Sequence, residues 1–422
     1  MSEQFKKVSI IGLGYIGLPT AAILASSGVK VVGVDINKDA VNIINAGNVH
    51  IVEPELDVLV RNAVKTGMLK ATTTVEESDV FLIAVPTPFM DGHKPDLSYV
   101  KAAVESIAPV LKKNNLIILE STCPVGTTGN ISRWMSALRD DLSFPKSSDD
   151  FPDVNIAYCP ERVLPGRILY ELVNNDRVIG GLTSECSNRA EIFYKTFITG
   201  QCLLTDSRTA EMCKLTENSF RDVNIAFANE LSLICDEQQI NVWELIKLAN
   251  HHVRVNILNP GPGVGGHCIA VDPWFIVDSA PKLSRLIRTA REVNDSKPDM
   301  VINKVMTAIT ELPTETIACL GLSFKADIDD LRESPAVEIV LKLATKGIKQ
   351  IFVVEPHIKS LPAKLAKFSN VTLVKLDCAL SSSELLLILV DHKEFLNIQD
   401  EQLAYKKIID TRGILRGRSG GT

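Results

Sequence analysis

The 422-residue chain is 45% apolar, more than one hydrophobic core normally serves, so two or three domains are expected. Its 45 basic and 51 acidic residues give a formal net charge of −6, which offers no reason for nucleic acid or an anionic membrane as the main partner. Nine scattered cysteines form no Cys-x-x-Cys pair, so neither a disulfide framework nor a zinc cluster is indicated, no metal is expected, and a reducing cytoplasm fits.

A short polar leader runs straight into the apolar stretch from Val8, with no secretory or transit pattern. The longest apolar runs, such as Leu385 to Val390, are strand-sized and far below the roughly 20 residues of a membrane helix. A soluble cytoplasmic protein is expected. Val8 to Ile11, Val31 to Val34, Val80 to Val85 and Leu116 to Leu119 alternate with amphipathic segments, the rhythm of βαβ units on a parallel sheet.

From Thr209 to Asp236 neither proline nor glycine interrupts a run of good helix formers, which predicts one long helix. Asn259 to Gly266 is a glycine- and proline-rich loop, followed by a helical stretch near Leu283 to Val293. The strand-and-helix rhythm returns with Ile317 to Leu320, Ile351 to Val354, Leu385 to Val390 and Lys407 to Ile409. The expected architecture is α/β, with two Rossmann-like doubly wound domains joined by a long central helix. The boundaries are 1–205 for a nucleotide-binding domain, 206–300 for a helical connector and 310–422 for a second nucleotide-binding-like domain.

Gly12-Leu13-Gly14-Tyr15-Ile16-Gly17 follows the first predicted strand and opens a predicted helix. Gly12 permits the tight turn, Gly14 lets a pyrophosphate approach the backbone, Gly17 lets helix and strand pack, and the helix N-terminus favours the anion. Asp35 ends the second strand, 18 residues after Gly17, where a carboxylate accepts hydrogen bonds from an adenosine ribose and repels a 2′-phosphate. NAD is therefore the expected cofactor, although Lys38 nearby leaves an opening for NADP. Ala84 to Pro88, with Thr87, and Ser121 to Thr128 follow later strands and are expected to face the same crevice.

Cys268 lies in the glycine-rich loop Gly261 to Pro273, ahead of a predicted helix start that favours a thiolate. By itself a cysteine is more often an inert core residue. Lys214, Asn218 and Arg221, at spacings of four and three, share one helix face that suits an oxyanion or a phosphate as well as a solvated stripe.

These features together resemble the UDP-sugar 6-dehydrogenases of the UDP-glucose/GDP-mannose dehydrogenase family. The likeness rests on Gly12 to Gly17, Ser121 to Gly126, Pro160-Glu161-Arg162-Val163-Leu164-Pro165-Gly166, the Lys214 and Asn218 helix, the cysteine loop, and Gly321-Leu322-Ser323-Phe324-Lys325. It spans nearly the whole chain, with six motifs in order. Within the family the text lies nearest the UDP-N-acetyl-D-mannosamine branch. Val271 stands where the UDP-glucose enzymes carry lysine, and Arg162 where they carry an aromatic residue; Val253 departs from the proline common in the mannosamine branch.

The resemblance implies two oxidations of one sugar carbon by NAD+, with Cys268 as covalent nucleophile, in cell-surface polysaccharide synthesis. It implies catalytic roles for Lys214, Asn218, Asp272, Thr122 and Glu161. Cofactor contacts fall to Gly12, Gly14, Tyr15, Ile16, Gly17, Asp35, Thr87, Thr128 and Arg332. The UDP-sugar falls to Arg162, Val163, Lys214, Asn218, Arg221, His252, Arg254, Gly265, Phe324, Lys325 and Arg412. An arginine at the position of Arg254 reaches across a subunit interface in related enzymes, which implies a homo-oligomer at least dimeric. The rival readings are a UDP-N-acetylglucosamine 6-dehydrogenase, a hydroxyacid or phosphogluconate-type dehydrogenase, which has no cysteine nucleophile, and a non-catalytic NAD-dependent sensor, which needs none of Lys214, Asn218, Cys268 and Asp272.

Overall fold

The computed structural model describes residues 5–146, 151–266, 268–312 and 314–415. The chain divides into two compact units, one ending at Glu217 and the other beginning at Asn218.

The first unit is built on eight strands: β1 (Lys7–Ile11), β2 (Lys30–Val34), β3 (Leu69–Thr72), β4 (Val80–Ile83), β5 (Leu116–Leu119), β6 (Asn155–Tyr158), β7 (Arg177–Gly181) and β8 (Cys202–Asp206). Their order across the sheet is β8-β7-β6-β5-β4-β1-β2-β3, and neighbours run parallel except β6 and β7. Continuous burial of β4 and β5 explains their unbroken Val/Ile/Leu/Phe sequences, because helices cover both faces of the sheet. The order reverses between β1 and β4, which leaves a crevice at the carboxyl ends of these strands.

The second unit carries a five-stranded parallel sheet: β9 (Thr316–Leu320), β10 (Gln350–Val354), β11 (Val371–Leu373), β12 (Leu385–Ile388) and β13 (Lys407–Asp410), ordered β11-β10-β9-β12-β13. Ile317, Cys319, Ile351 and Val353 belong to one hydrophobic layer, and Ala318, Leu320, Val354 and Ile388 to the other. Ahead of the sheet lie helices Val242–Ala249, Asp272–Ser279 and Arg285–Glu311. The helix Ser207–Glu237 runs unbroken from one unit into the next. Among the described residues no helix is long and apolar enough to cross a membrane.

The sequence reading is exact for β5 and short by one residue at the start of β1, β2, β9 and β10. It overran β4, which stops at Ile83, and missed β3, β6, β7, β8 and β11. Their polar, glycine-containing or very short sequences weaken the strand signal. The helix expected near Leu283 to Val293 continues to Glu311 through Pro298, held there by burial of Val301, Ile302, Val305 and Ala308 in the second core.

Candidate functional site

In the first unit β1 turns into helix Gly17–Ser26 through the glycine fingerprint. Gly12 has φ +95° and donates its N–H to the Val34 carbonyl at 2.8 Å, closing a turn that a side chain would block against the Ala84 backbone. A Cβ on Gly17 would strike the Gly12 carbonyl, whereas no atom lies within 4 Å of a Cβ on Gly14. The approach to the backbone is thus open at Gly14, and Tyr15 and Ile16 flank it half-buried. Asp35 Oδ2 accepts the Leu13 N–H at 2.9 Å and Oδ1 the Asn37 N–H at 2.8 Å, yet the residue stays partly exposed. Open backbone, helix N-terminus and accessible acid fit a dinucleotide.

The loops after β4 and β5 are tied together, with Thr87 Oγ1 donating to the Thr122 carbonyl at 2.5 Å and Ser121 Oγ to the Val85 carbonyl at 2.7 Å. The next helix, Thr127–Leu138, has its N-terminus closed by Glu211. This fully buried carboxylate accepts from Gly126 N (2.5 Å), Thr128 N (2.7 Å) and Thr128 Oγ1 (2.6 Å). Burial pushes the Glu211 carboxyl up, and those donors oppose the shift. Thr128, expected at the cofactor, is fully buried with its N–H and hydroxyl committed to Glu211.

The segment Pro160 to Gly166 is pinned along its length. Glu161 pairs with the buried Arg177, whose other nitrogen donates to the Leu172 carbonyl at 2.9 Å. Arg162, expected at the UDP-sugar, is engaged by Glu217 at 2.9 Å and by the Asp176 carbonyl. Val163 packs half-buried on the first core. Glu53 accepts the N–H groups of Gly166 (2.8 Å) and Ile168 (2.7 Å). Lys214 is only 8% exposed, and no hydrogen bond or ion pair engages its ammonium among the described residues.

In the second unit Cys268 is exposed, and its carbonyl accepts the N–H groups of Val271 (3.1 Å) and Asp272 (2.9 Å) at the entry to helix Asp272–Ser279. His267 lies outside the described residues. Asn218 Nδ2 donates to Asp272 Oδ2, and Asp272 is buried. Burial pushes the Cys159 thiol up to about 11 and the Cys319 thiol up to about 12, so neither is a nucleophile at neutral pH. Cys378, also exposed, sits on helix Leu376–Ser382, outside the glycine loop.

The cysteine loop borders a shallow cleft whose lining includes Gly263, Phe324, Lys325, Asp391 and Arg412. A Cβ on Gly265 would strike Glu333 and Phe324, and Gly266, at φ +83°, lies against the Phe324 ring. Arg412 pairs with Asp391 at 2.8 Å. Gly265, Phe324, Lys325 and Arg412 therefore gather in one place. Arg221, His252 and Arg254 are exposed, with Arg254 N donating to His252 Nδ1 at 3.3 Å, and Arg332 is held by Asp330 at 2.6 Å.

The turn after β9 repeats the first: Gly321 has φ +96° and donates to the Val354 carbonyl at 2.8 Å. At the place of Asp35 stands Glu355, with a fully buried side chain. Its Oε2 accepts from Leu322 N (2.7 Å) and Ser323 N (3.0 Å), and His392 Nε2 lies 3.1 Å away. Burial pushes the Glu355 carboxyl up, but these partners hold it below the ordinary value. No solvent-facing acid remains there for an adenosine ribose.

Family models cover residues 6–198 (NAD binding domain), 208–296 (central domain) and 318–417 (UDP binding domain) of the UDP-glucose/GDP-mannose dehydrogenase family. The chain belongs to this family. It is similar to an NDP-N-acetyl-D-galactosaminuronic acid dehydrogenase of Ralstonia nicotianae, at 60% identity over 97% of this chain and 96% of the relative. It is equally similar to a UDP-N-acetyl-D-mannosamine dehydrogenase of Campylobacter jejuni, at 60% over 95% and 99%. A solved UDP-D-ManNAc dehydrogenase from Pyrococcus horikoshii superposes with a TM-score of 0.89 at 38% identity, covering 98% of this chain and 97% of that one.

As a member of the family the chain is an NAD-dependent UDP-sugar dehydrogenase. Its sequence also holds groups that motif reading passed over: Glu53, Arg177 and Glu211, and Glu120, a buried carboxyl that accepts the Tyr194 hydroxyl at 2.7 Å. Glu211 was within reach, three residues before Lys214 on the same helix. Asp35 sets a cofactor test. Since juxtaposed like charges cost several kcal/mol, kcat/KM with NADP+ should be about a hundredfold or more below that with NAD+ in initial-rate assays. Equal efficiencies would remove Asp35 from the cofactor site.

Proposed function

We propose that this dehydrogenase oxidises UDP-N-acetyl-D-mannosamine at its primary alcohol to the uronate, for cell-surface polysaccharide synthesis in the cytoplasm. The observation that carries this reading is an exposed cysteine in a glycine loop that borders the Phe324, Lys325 and Arg412 cleft, in a chain 60% identical to an enzyme named for that substrate. The division into 1–205, 206–300 and 310–422 belongs to the same proposal.

Gly12 to Gly17 and Asp35 would hold NAD+, which when bound would supply the hydride acceptor for each of two oxidations. The two equivalents use this one site in turn, because Glu355 is unavailable to a second ribose. Lys214 and Asn218 donate to the oxygen that develops negative charge, where an uncommitted and largely buried ammonium is worth most. The Cys268 thiolate adds to the aldehyde carbon, forming a C–S bond and a thiohemiacetal. Loss of the second hydride leaves a thioester, and water cleaves its C–S bond to give the carboxylate and restore the thiolate. Asp272, oriented by Asn218, and Thr122 handle protons and the attacking water; Glu161, held by Arg177, orients that water. Thr87 and Arg332 take part in cofactor binding, and Val163, Gly265, Phe324, Lys325 and Arg412 hold the UDP moiety.

The active form is a homo-oligomer, at least a dimer. Phe220, Phe227 and Ile234 recur every seven residues along the long helix and are 70%, 52% and 43% exposed, a stripe suited to a second copy. Arg221, His252 and Arg254, exposed in one copy, then reach substrate of the next. The relative named for an N-acetyl-galactosaminuronic acid supports a second reading, in which the sugar is an epimer. Purified enzyme should form NADH fastest with UDP-N-acetylmannosamine, when compared with UDP-N-acetylglucosamine, UDP-N-acetylgalactosamine and UDP-glucose. A faster rate with any of these overturns the assignment.

A further inference from the structure

The helices Ser207–Glu237 and Arg285–Glu311 meet in the second unit along a polar seam. Asp222, Asn229 and Ser232 on one face Arg291, Asn294 and Lys297 on the other, and Asp222, Asn229, Arg291 and Asn294 are all at most 1% exposed. Arg291 Nη1 donates to Asp222 Oδ1 at 2.6 Å and Asn294 Nδ2 to the same oxygen at 2.8 Å. Asn229 Nδ2 donates to Asn294 Oδ1 at 2.8 Å, and Asn229 Oδ1 accepts the Gly261 N–H at 2.8 Å. Lys297 Nζ donates to Ser232 Oγ at 2.6 Å.

The direction of this chain is fixed at both ends. Gly261 N–H only donates and the Asp222 carboxylate only accepts, so a flip of either asparagine amide would set donor against donor or acceptor against acceptor. The chain ends where the cysteine loop begins. Gly261 lies seven residues before Cys268, and Asp272, held by Asn218 on the same long helix, lies four after it. Between these tethers Gly263 would carry a Cβ 3.0 Å from Pro335, and Gly266 one 3.1 Å from Phe324, so the backbone at these two glycines lies close against its neighbours. One helix thus fixes both ends of the nucleophile's loop.

We infer that Asn229, oriented by Asn294 and the Asp222–Arg291 pair, is a positioning residue for the oxidation: it sets the backbone at Gly261 and thereby the location of the Cys268 thiol. This rests on Cys268 being the nucleophile. The buried pair behind Asn229 gives orientation rather than net stability, since apolar replacements of such pairs are often neutral. Displacing a reacting group by about 1 Å costs about a hundredfold in rate.

The test uses the full-length enzyme and four readouts: kcat, KM for NAD+, the rate of Cys268 alkylation by iodoacetamide followed by mass spectrometry, and the melting temperature. Asn229→Ala should lower kcat by about ten- to a hundredfold, leave KM for NAD+ within about twofold, and change the alkylation rate by about threefold or more. Asn294→Asp should lose comparable activity by facing Asp222 with a second carboxylate. Adding Asp222→Asn to it moves the charge by one place, restores a donor for each acceptor, and should bring kcat back to within about fivefold. A lower melting temperature with wild-type kcat and alkylation overturns the inference and leaves Asn229 a stability residue. Should Asn229→Ala fail to fold, the Asn294→Asp pair carries the test, and a double variant no better than the single overturns it. Cys268→Ser run alongside separates the two claims, because full oxidation by that variant sinks the nucleophile assignment and, with it, the positioning role.

Discussion

Cys268→Ser is expected to lower uronate formation by about 10³-fold or more, the scale on which loss of a covalent nucleophile acts in other enzymes. Serine keeps a hydroxyl of similar size and leaves the loop backbone alone, so the change is confined to chemistry. It removes a readily ionised nucleophile and a good leaving group. The first hydride transfer needs neither, so aldehyde-level turnover, or an adduct that stalls before the second oxidation, should survive. Single-turnover NADH formation combined with mass spectrometry of products and protein distinguishes these from an inactive fold. Normal uronate release by the variant contradicts the covalent mechanism.

Lys214→Ala is expected to slow both oxidations, by about a hundredfold or more each, because each passes through a developing oxyanion that the ammonium stabilises. The magnitude follows from the environment: Lys214 is 8% exposed and engages no hydrogen-bond or ion-pair partner among the described residues, so its donors are not already committed to protein groups. Lys214→Arg should recover little, since a planar fork does not replace a compact ammonium at the end of a flexible stem. The rates are read with alcohol-level substrate and, separately, with the UDP-sugar aldehyde. A variant impaired only with the alcohol contradicts the shared oxyanion role and makes Lys214 a base for the first step alone.

The parts of this molecule that were legible in the sequence are those whose physics is local. Gly12, Gly14 and Gly17 announce a turn because each is required by a backbone contact or an open approach within a few residues of β1, and Asp35 closes that turn through Leu13. The long helix was equally plain, with nothing to break it from Ser207 to Glu237. Long-range pairings were not. Glu53 reaches Gly166, Glu211 reaches Thr128 and Asn229 reaches Gly261, and in each case the acid or amide reads as an ordinary surface residue until the fold buries it. The partners of Arg162 and Thr128, Glu217 and Glu211, lie far along the chain and were equally hidden. The second long helix was legible only near Leu283 to Val293: local rules disfavour a helix through Pro298, and packing of Val301 to Ala308 carries it on to Glu311.

The central claim is a coupled four-electron oxidation on one cysteine, and the NADH yield tests it most directly. A limiting amount of UDP-N-acetylmannosamine is oxidised to completion with an aldehyde-trapping amine present, and NADH, uronate and trapped aldehyde are counted. The account predicts two NADH and one uronate per sugar with no trapped aldehyde; one NADH per sugar with stoichiometric trapped aldehyde would contradict it.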